Sequence, residues 1–459
     1  MYRHVFGALI VAVLLQGGCN CSDQRPGEQP WDLGVRPDGL AGIRLDVPDD
    51  EPPDFGFPPD VTECEEGFSF AVARFDLPFR ARRVPQVSDS TVFTLAPADS
   101  SSGHERRLAW VEPETGALND RISLSGRNYL VDVDENGAFA LHSTDPETIA
   151  LRPHLLRPNG GGFGPGSSVG RWQAPPVNIG GGRGRQLDRK NRRFAAVLEN
   201  DPMEAPGWVG YYDGEEGHEV HIKDWAEPPV TLTPNGFALV GRTGPLSGGG
   251  NLEIYTYDPK DGVRRRTKTE AYERDPISSG NTLYWNTDEA VYRTRVTDFD
   301  PEAIHRGMCG PVDVHGGGAV FSCETNSPSG GGHRRPVFGR NLYLYDGTRV
   351  TPLPTDGGLV YSPKIWGDNV VWVEYDSRDA VTRGPNETGT VYFWSTGQSK
   401  AIEVAPIGSP CFTCNSIFAD VNLSIGNGLI AWNYASPNRS DGHTATDNGA
   451  VARFRHGCR

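Results

Sequence analysis

Three short segments of this sequence have residue types and spacings that could do chemistry. In Asp132-Val133-Asp134-Glu135-Asn136-Gly137, the oxygen-bearing side chains of Asp132, Asp134 and Asn136 alternate ahead of a glycine, the order of the first half of a calcium loop. The distal bidentate acid is missing, because Ser143 stands where a glutamate belongs. The segment therefore reads as a weak calcium turn or as a plain hairpin turn, and no other cofactor is expected. His218 and His221 are separated by three positions on a predicted strand, which sets them on opposite faces and favours a surface strand over a zinc pair. Cys411-Phe412-Thr413-Cys414 has the spacing of a thiol–disulfide exchange pair. That chemistry wants its first thiolate at a helix N-terminus, and no helix reads there, so a small bridged loop is expected. Cys309 and Cys323 flank a predicted hairpin and are placed to cross-link its two strands. A four-thiolate metal site is not expected, since its second close cysteine pair is lacking. No Gly-x-Ser-x-Gly elbow, phosphate loop or dinucleotide fingerprint occurs, and local spacing assembles no catalytic nucleophile, base and orienting group.

The elements that must position these residues are short alternating strands rather than helices, since no long 3.6-residue apolar period follows residue 64. One hairpin pattern recurs: a polar or proline start, an alternating strand, a turn of Gly, Asn or Asp, then a strongly apolar strand. It runs from Val84 to Leu95, Val131 to Leu141, Arg185 to Val197, Pro229 to Val240 and Asp275 to Trp285. It returns from Pro311 to Phe321, Pro363 to Val373 and Val421 to Trp432, at spacings that average about 48 residues. Further strands follow, as in Leu252–Asp258, Leu342–Gly347 and Val391–Gly397. A lone four-stranded sheet of this size exposes an apolar face, and radial packing of such sheets covers it. Trp285, Trp372 and Trp432 fall at equivalent strand ends and are expected to form core layers between sheets.

The segment Ile365-Trp366-Gly367-Asp368-Asn369-Val370-Val371-Trp372-Val373-Glu374-Tyr375-Asp376, followed by Val391-Tyr392-Phe393-Trp394-Ser395-Thr396-Gly397, resembles the repeats of TolB-type β-propeller proteins. The resemblance implies an all-β propeller and a binding role, and brings no catalytic residues with it. Eight hairpins imply eight four-stranded blades over residues 63–459; seven would remain if the glycine-rich stretch Arg152–Gln186 or the charged third unit were an insertion. In a closed ring the first and last blades meet, so Cys64 and Cys458 are expected to form a bridge.

Before this body lie two segments of different character. Arg3 precedes an apolar run from Val5 to Leu15, shorter than the ~20 residues that span a bilayer. Leu15-Gln16-Gly17-Gly18-Cys19 then resembles the lipobox of bacterial lipoproteins, which implies a signal peptide over residues 1–18 and a lipid on the Cys19 thiol. Gln16 departs from the usual small or hydroxyl residue, and the alternative is an ordinary secretory signal with soluble release. Asn20, rather than Asp, follows the modified cysteine, which by resemblance to enterobacterial sorting implies the outer membrane. Residues 19–62 read as an acidic, proline-rich tether; the stretch from Asp46 to Glu66, which runs slightly past its end, holds nine acidic residues and no Lys or Arg. A formal charge of −15 without a basic patch argues against nucleic acid. The expected protein is a lipid-anchored, extracytoplasmic module that binds protein or glycan at the cell envelope and touches the membrane through its lipid alone. The alternative is a hydrolase or lyase of polysaccharide or peptide working at the propeller channel.

Overall fold

The computed structural model describes the strands between residues 73 and 197, and then residues 207–214, 217–243, 250–324, 338–375, 388–408, 423–434 and 448–454. All lie within one compact unit, Asp54–Arg459. Among the described residues there is no helix. Antiparallel strands form eight sheets of four or five strands, together with one two-stranded ribbon. Such a series of small antiparallel sheets is consistent with a β-propeller.

Each sheet begins with an opening strand hydrogen-bonded to the next strand in sequence. The opening strands are Gln86–Ser88, Arg127–Asp134, Leu187–Lys190, Trp225–Leu232, Arg274–Ser279, Asp313–His315, Leu359–Trp366 and Leu423–Gly426. Every recurring hairpin read from the sequence coincides with one of these strands and its partner. The glycine-rich stretch after Arg152 also contributes, because Ser167–Ser168 pairs with Leu151–Leu156 as the fourth strand of the second sheet. Two sheets break the simple order. Phe338–Gly339 lies beside the opening strand Leu359–Trp366 as a fifth strand. In the last sheet, Leu423–Gly426, Leu429–Tyr434 and Asn448–Arg453 are joined by Ala73–Arg80, with Ala73 opposite Arg453.

The prolines at the hairpin starts have a structural reason. Ladder register shifts within the opening strands between Glu227 and Val230, between Arg274 and Ile277, and between Tyr361 and Lys364. The residues passed over include Pro228, Pro229, Pro276 and Pro363. Proline has no N–H to donate and is tolerated where a bulge interrupts the ladder. Asp275 and Ser362, each immediately before its proline, take positive φ values of 48°, which sharpens the bend.

In four of the sheets the fourth residue of the second strand packs against the preceding sheet. Trp285 packs in a cluster with Ala238, Val240 and Ile254 of the preceding sheet, and Phe321 with Tyr284 and Val291 of its preceding sheet. Trp372 joins Val320 and Leu342, and Trp432 joins Val371, Val373 and Phe393, again one sheet back. The three indoles and the Phe321 ring are essentially inaccessible to water. Apolar burial of this kind stabilises at about 25 cal/mol per Å².

Candidate functional site

The opening strands are tied side by side by a repeated hydrogen bond. Ser278 N–H donates to Thr231 Oγ1 at 3.1 Å, Ile365 N–H to Asp313 Oδ2 at 3.0 Å, and Val87 N–H to Ser424 Oγ at 2.9 Å. In register the three bonds are the same. Each acceptor lies two residues before its hairpin's closing pair, and each donor one residue before its own. A short side-chain oxygen at that position satisfies a backbone donor that the sheet's own ladder leaves over, which unpaired would cost about 1–3 kcal/mol.

Among the described residues, polar and aromatic groups gather where the sixth and seventh opening strands meet. Lys364 Nζ stands 3.4 Å from Asp313 Oδ1, while Asp313 Oδ2 holds Ile365 N–H. Gly367 N–H donates to His315 Nδ1 at 2.8 Å, an arrangement that assigns the proton of the neutral ring to Nε2. The His315 and Trp366 rings lie with centroids 4.2 Å apart, both half-buried. Both oxygens of the carboxylate and one nitrogen of the imidazole are thus engaged in holding strands. The pair of strands leaves an indole, an imidazole and a lysine partly exposed on a fixed frame. That is the equipment of a binding surface.

Other ties reach from one sheet to the turns of the next. Tyr211 Oη donates to the Asn235 carbonyl at 3.2 Å and Tyr284 Oη to the Gly317 carbonyl at 3.0 Å. Burial pushes the Tyr284 hydroxyl up to about 12, so it stays a donor at ordinary pH. Arg193 donates to the Thr233 carbonyl at 3.1 Å, and Arg293 to the Gly347 carbonyl at 3.1 Å.

Two buried acids stand on the fourth sheet and at the entry to the fifth. Glu253, with a fully buried side chain, accepts from Arg265 at 2.7 Å and from Thr267 Oγ1 at 2.8 Å. Glu273 is 2% exposed and accepts from Thr269 Oγ1 at 2.9 Å. Burial pushes its carboxyl up to about 7; the hydrogen bond from Thr269 and the nearby Trp285 indole oppose the shift, and the charge of Glu253 adds to it. The sign for stability follows. The folded state binds its proton more tightly than the unfolded chain, so Glu273's contribution is complete below the unfolded value of 4.5 and is lost as pH rises toward 7. Stability is expected to fall by on the order of 3 kcal/mol across that window. Urea unfolding at about pH 4 and about pH 8 should show this fall in the wild type, and Glu273→Gln should flatten it. An unchanged slope in the variant would assign the pH dependence to other groups.

The structure places the sequence-predicted residues as follows. Cys309 and Cys323 are joined by a disulfide with Cα atoms 4.0 Å apart, across an antiparallel bridge that precedes the hairpin. Asp132 and Asp134 lie in the strand Arg127–Asp134, which pairs with Gly137–Ser143 through Asp134 opposite Gly137; Asn136 is outside the described residues. By register Asp132 takes the position that Thr231, Asp313 and Ser424 use to tie neighbouring strands. His218 is half-buried within 3.1 Å of Asp213, and His221 is exposed beside the Trp208 ring, on a strand edge as expected. Cys19, Cys64, Cys411, Cys414 and Cys458 lie outside the described residues. The ties through Thr231 and Ser424 and the buried acids were not anticipated. For Glu253 a signal existed, since it is the one charge inside the apolar run Leu252–Tyr257.

No protein-family model matches this chain. No curated protein matches it either. Solved structures that resemble it are β-propeller proteins. The β-propeller domain of the Trilobed protease from Pyrococcus furiosus is 10% identical, over 72% of this chain and 96% of that one, with a TM-score of 0.42. BamB from Moraxella catarrhalis is 9% identical, over 84% and 100%, with a TM-score of 0.44. A prolyl endopeptidase is 13% identical, over 78% of this chain and 54% of that one, with a TM-score of 0.46. At these values nothing about ligand or activity passes to this chain.

Proposed function

We propose that this chain is a lipid-anchored, extracytoplasmic β-propeller of eight TolB-like blades that binds protein or glycan at the bacterial cell envelope, with its lipid on Cys19 in the outer membrane. Eight sheets with equivalent opening hairpins support the blade number. Pairing of Ala73–Arg80 with Asn448–Arg453 supports closure by the two ends of the body, and so does the bond from Val87 N–H to Ser424 Oγ between the first and last opening strands. The Gly17-Gly18-Cys19-Asn20 sequence behind a short apolar run supports the anchor and its address.

The observation that carries the binding role is the junction of the sixth and seventh opening strands. There Asp313 and His315 hold backbone N–H groups, while Trp366 stays half-exposed beside them. Groups spent on fixing strands give a rigid surface, and rigid aromatic side chains are frequent anchors of recognition. The test is co-sedimentation of the purified protein with bacterial envelope fragments, with mass spectrometry of the soluble fraction. Wild type is expected to sediment without releasing fragments, and Trp366→Ala to bind roughly tenfold more weakly or worse. Turnover of glycan or peptide into soluble products would replace this reading with the hydrolase or lyase one.

A further inference from the structure

The disulfide between the fifth and sixth sheets has a third potential ligand beside it. The ring nitrogens of His305 and the sulfurs of Cys309 and Cys323 include one atom from each residue that all lie within 4.8 Å of one another. His305 sits on the strand Glu302–Arg306, the last of its sheet, opposite Val291. The cysteines belong to the entry of the next sheet, where Cys323 ends the strand Gly318–Cys323. Two sheets therefore converge on one point with one nitrogen and two sulfurs.

We infer that, with its disulfide reduced, this cluster is a binding site for a thiophilic divalent metal ion of the zinc class, held by His305, Cys309 and Cys323. Zinc–sulfur bonds of about 2.3 Å and zinc–nitrogen bonds of about 2.0 Å place tetrahedral ligands roughly 3.6 Å apart. The nitrogen thus needs to close in by at most about 1 Å, and the sulfurs to move apart once their bond is gone, both within side-chain rotation. Charge favours a divalent ion. Two thiolates, one neutral imidazole and one divalent cation sum to zero, which suits a pocket walled by the Phe321 and Tyr343 rings at 5.6 and 4.4 Å from the imidazole. Backbone support is already in place, since Asn286 Nδ2 donates to the Cys309 carbonyl at 2.8 Å and Gly310 N–H to the Ser322 carbonyl at 2.8 Å.

The two states exclude each other and interconvert with a balanced exchange. A dithiol reductant delivers two electrons and two protons to the Cys309–Cys323 bond, giving two thiols and its own disulfide. The metal ion then displaces both thiol protons to solvent. Occupancy is set by the thiol–disulfide poise around the protein as well as by metal concentration.

Cobalt(II) is the probe, because thiolate ligands give it a charge-transfer absorption. The full chain, reduced and freed of excess reductant, is titrated alongside the oxidised protein, Cys411→Ser/Cys414→Ser, Cys309→Ser/Cys323→Ser and His305→Ala. Expected results are one tight equivalent with a thiolate band in reduced wild type and in the 411/414 variant, and no band in the oxidised protein or the 309/323 variant. His305→Ala, which keeps both sulfurs, is expected to bind about 100-fold more weakly or worse. Zinc should displace the cobalt. The inference is overturned by the absence of a thiolate band in reduced wild type, by a band that survives in the 309/323 variant at full strength, or by unchanged affinity in His305→Ala. Circular dichroism of each variant separates loss of the site from loss of the fold.

Discussion

Cys19→Ser is expected to transfer the whole protein from the detergent phase to the aqueous phase of a cloud-point partition. The reason is the size of the term removed. Each buried CH2 of an acyl chain contributes about 0.8 kcal/mol, and a single myristoyl-length chain holds only marginally, so the two or more chains of a lipidated N-terminal cysteine dominate membrane affinity. The serine hydroxyl at that position is no substitute for the thiol. Metabolic labelling with a fatty-acid analogue, followed by the same partition, gives the check: label on wild type and none on the variant. An unlabelled wild type, or a variant that stays in the detergent phase, would remove the anchor and leave the ordinary secretory reading.

Trp372→Ala is expected to destabilise the body by about 3–5 kcal/mol, the range for truncating a buried tryptophan, against a total of about 5–15 kcal/mol for a typical domain. Trp372 is fully buried in the cluster with Val320, Leu342 and Leu353 of the preceding sheet, and its ring lies 5.7 Å from Tyr392. Its indole N–H also donates to Glu374 Oε2 at 3.3 Å, and Gly358 N–H donates to the other oxygen at 2.6 Å. Trp372→Phe should restore much of the packing but leave the buried carboxylate short of a donor, and so recover only part of the loss. Urea unfolding of the three proteins at one pH decides it. A cost below about 1 kcal/mol for the alanine variant would mean that the sheets do not depend on this layer.

The hairpins were legible because their physics is local. An apolar strand after a Gly, Asn or Asp turn alternates with period two, and both halves stand next to each other in sequence, as in Ile365–Val373. The tryptophan layers were legible because equivalent positions repeat. The last strand of each sheet was harder to read. Gly262–Arg265 and Glu302–Arg306 are short and largely exposed, so no burial pattern marks them. Nor does sequence spacing indicate that Arg265 belongs to Glu253, because that pair depends on the pairing of Leu252–Asp258 with Gly262–Arg265. The same limit hid the cluster of His305, Cys309 and Cys323. Cys309 and Cys323 were readable as a bridge, but His305 meets them only because two sheets abut, and Thr231 meets Ser278 for the same reason. Contacts inside one hairpin are written in order along the chain. Those between hairpins are fixed by packing and register, which no local pattern states.

The pairing of Ala73–Arg80 with Asn448–Arg453 has a consequence for how the molecule is made. During synthesis the early strand emerges with no partner, and its partner is among the last segments to arrive. Until then its sheet presents a bare edge able to pair with other chains, and the final step must bring together residues nearly a whole chain length apart, which slows maturation. A chain stopped short of position 448 would keep that edge permanently, and should accumulate as aggregate or fall to proteases rather than persist as a smaller, working protein.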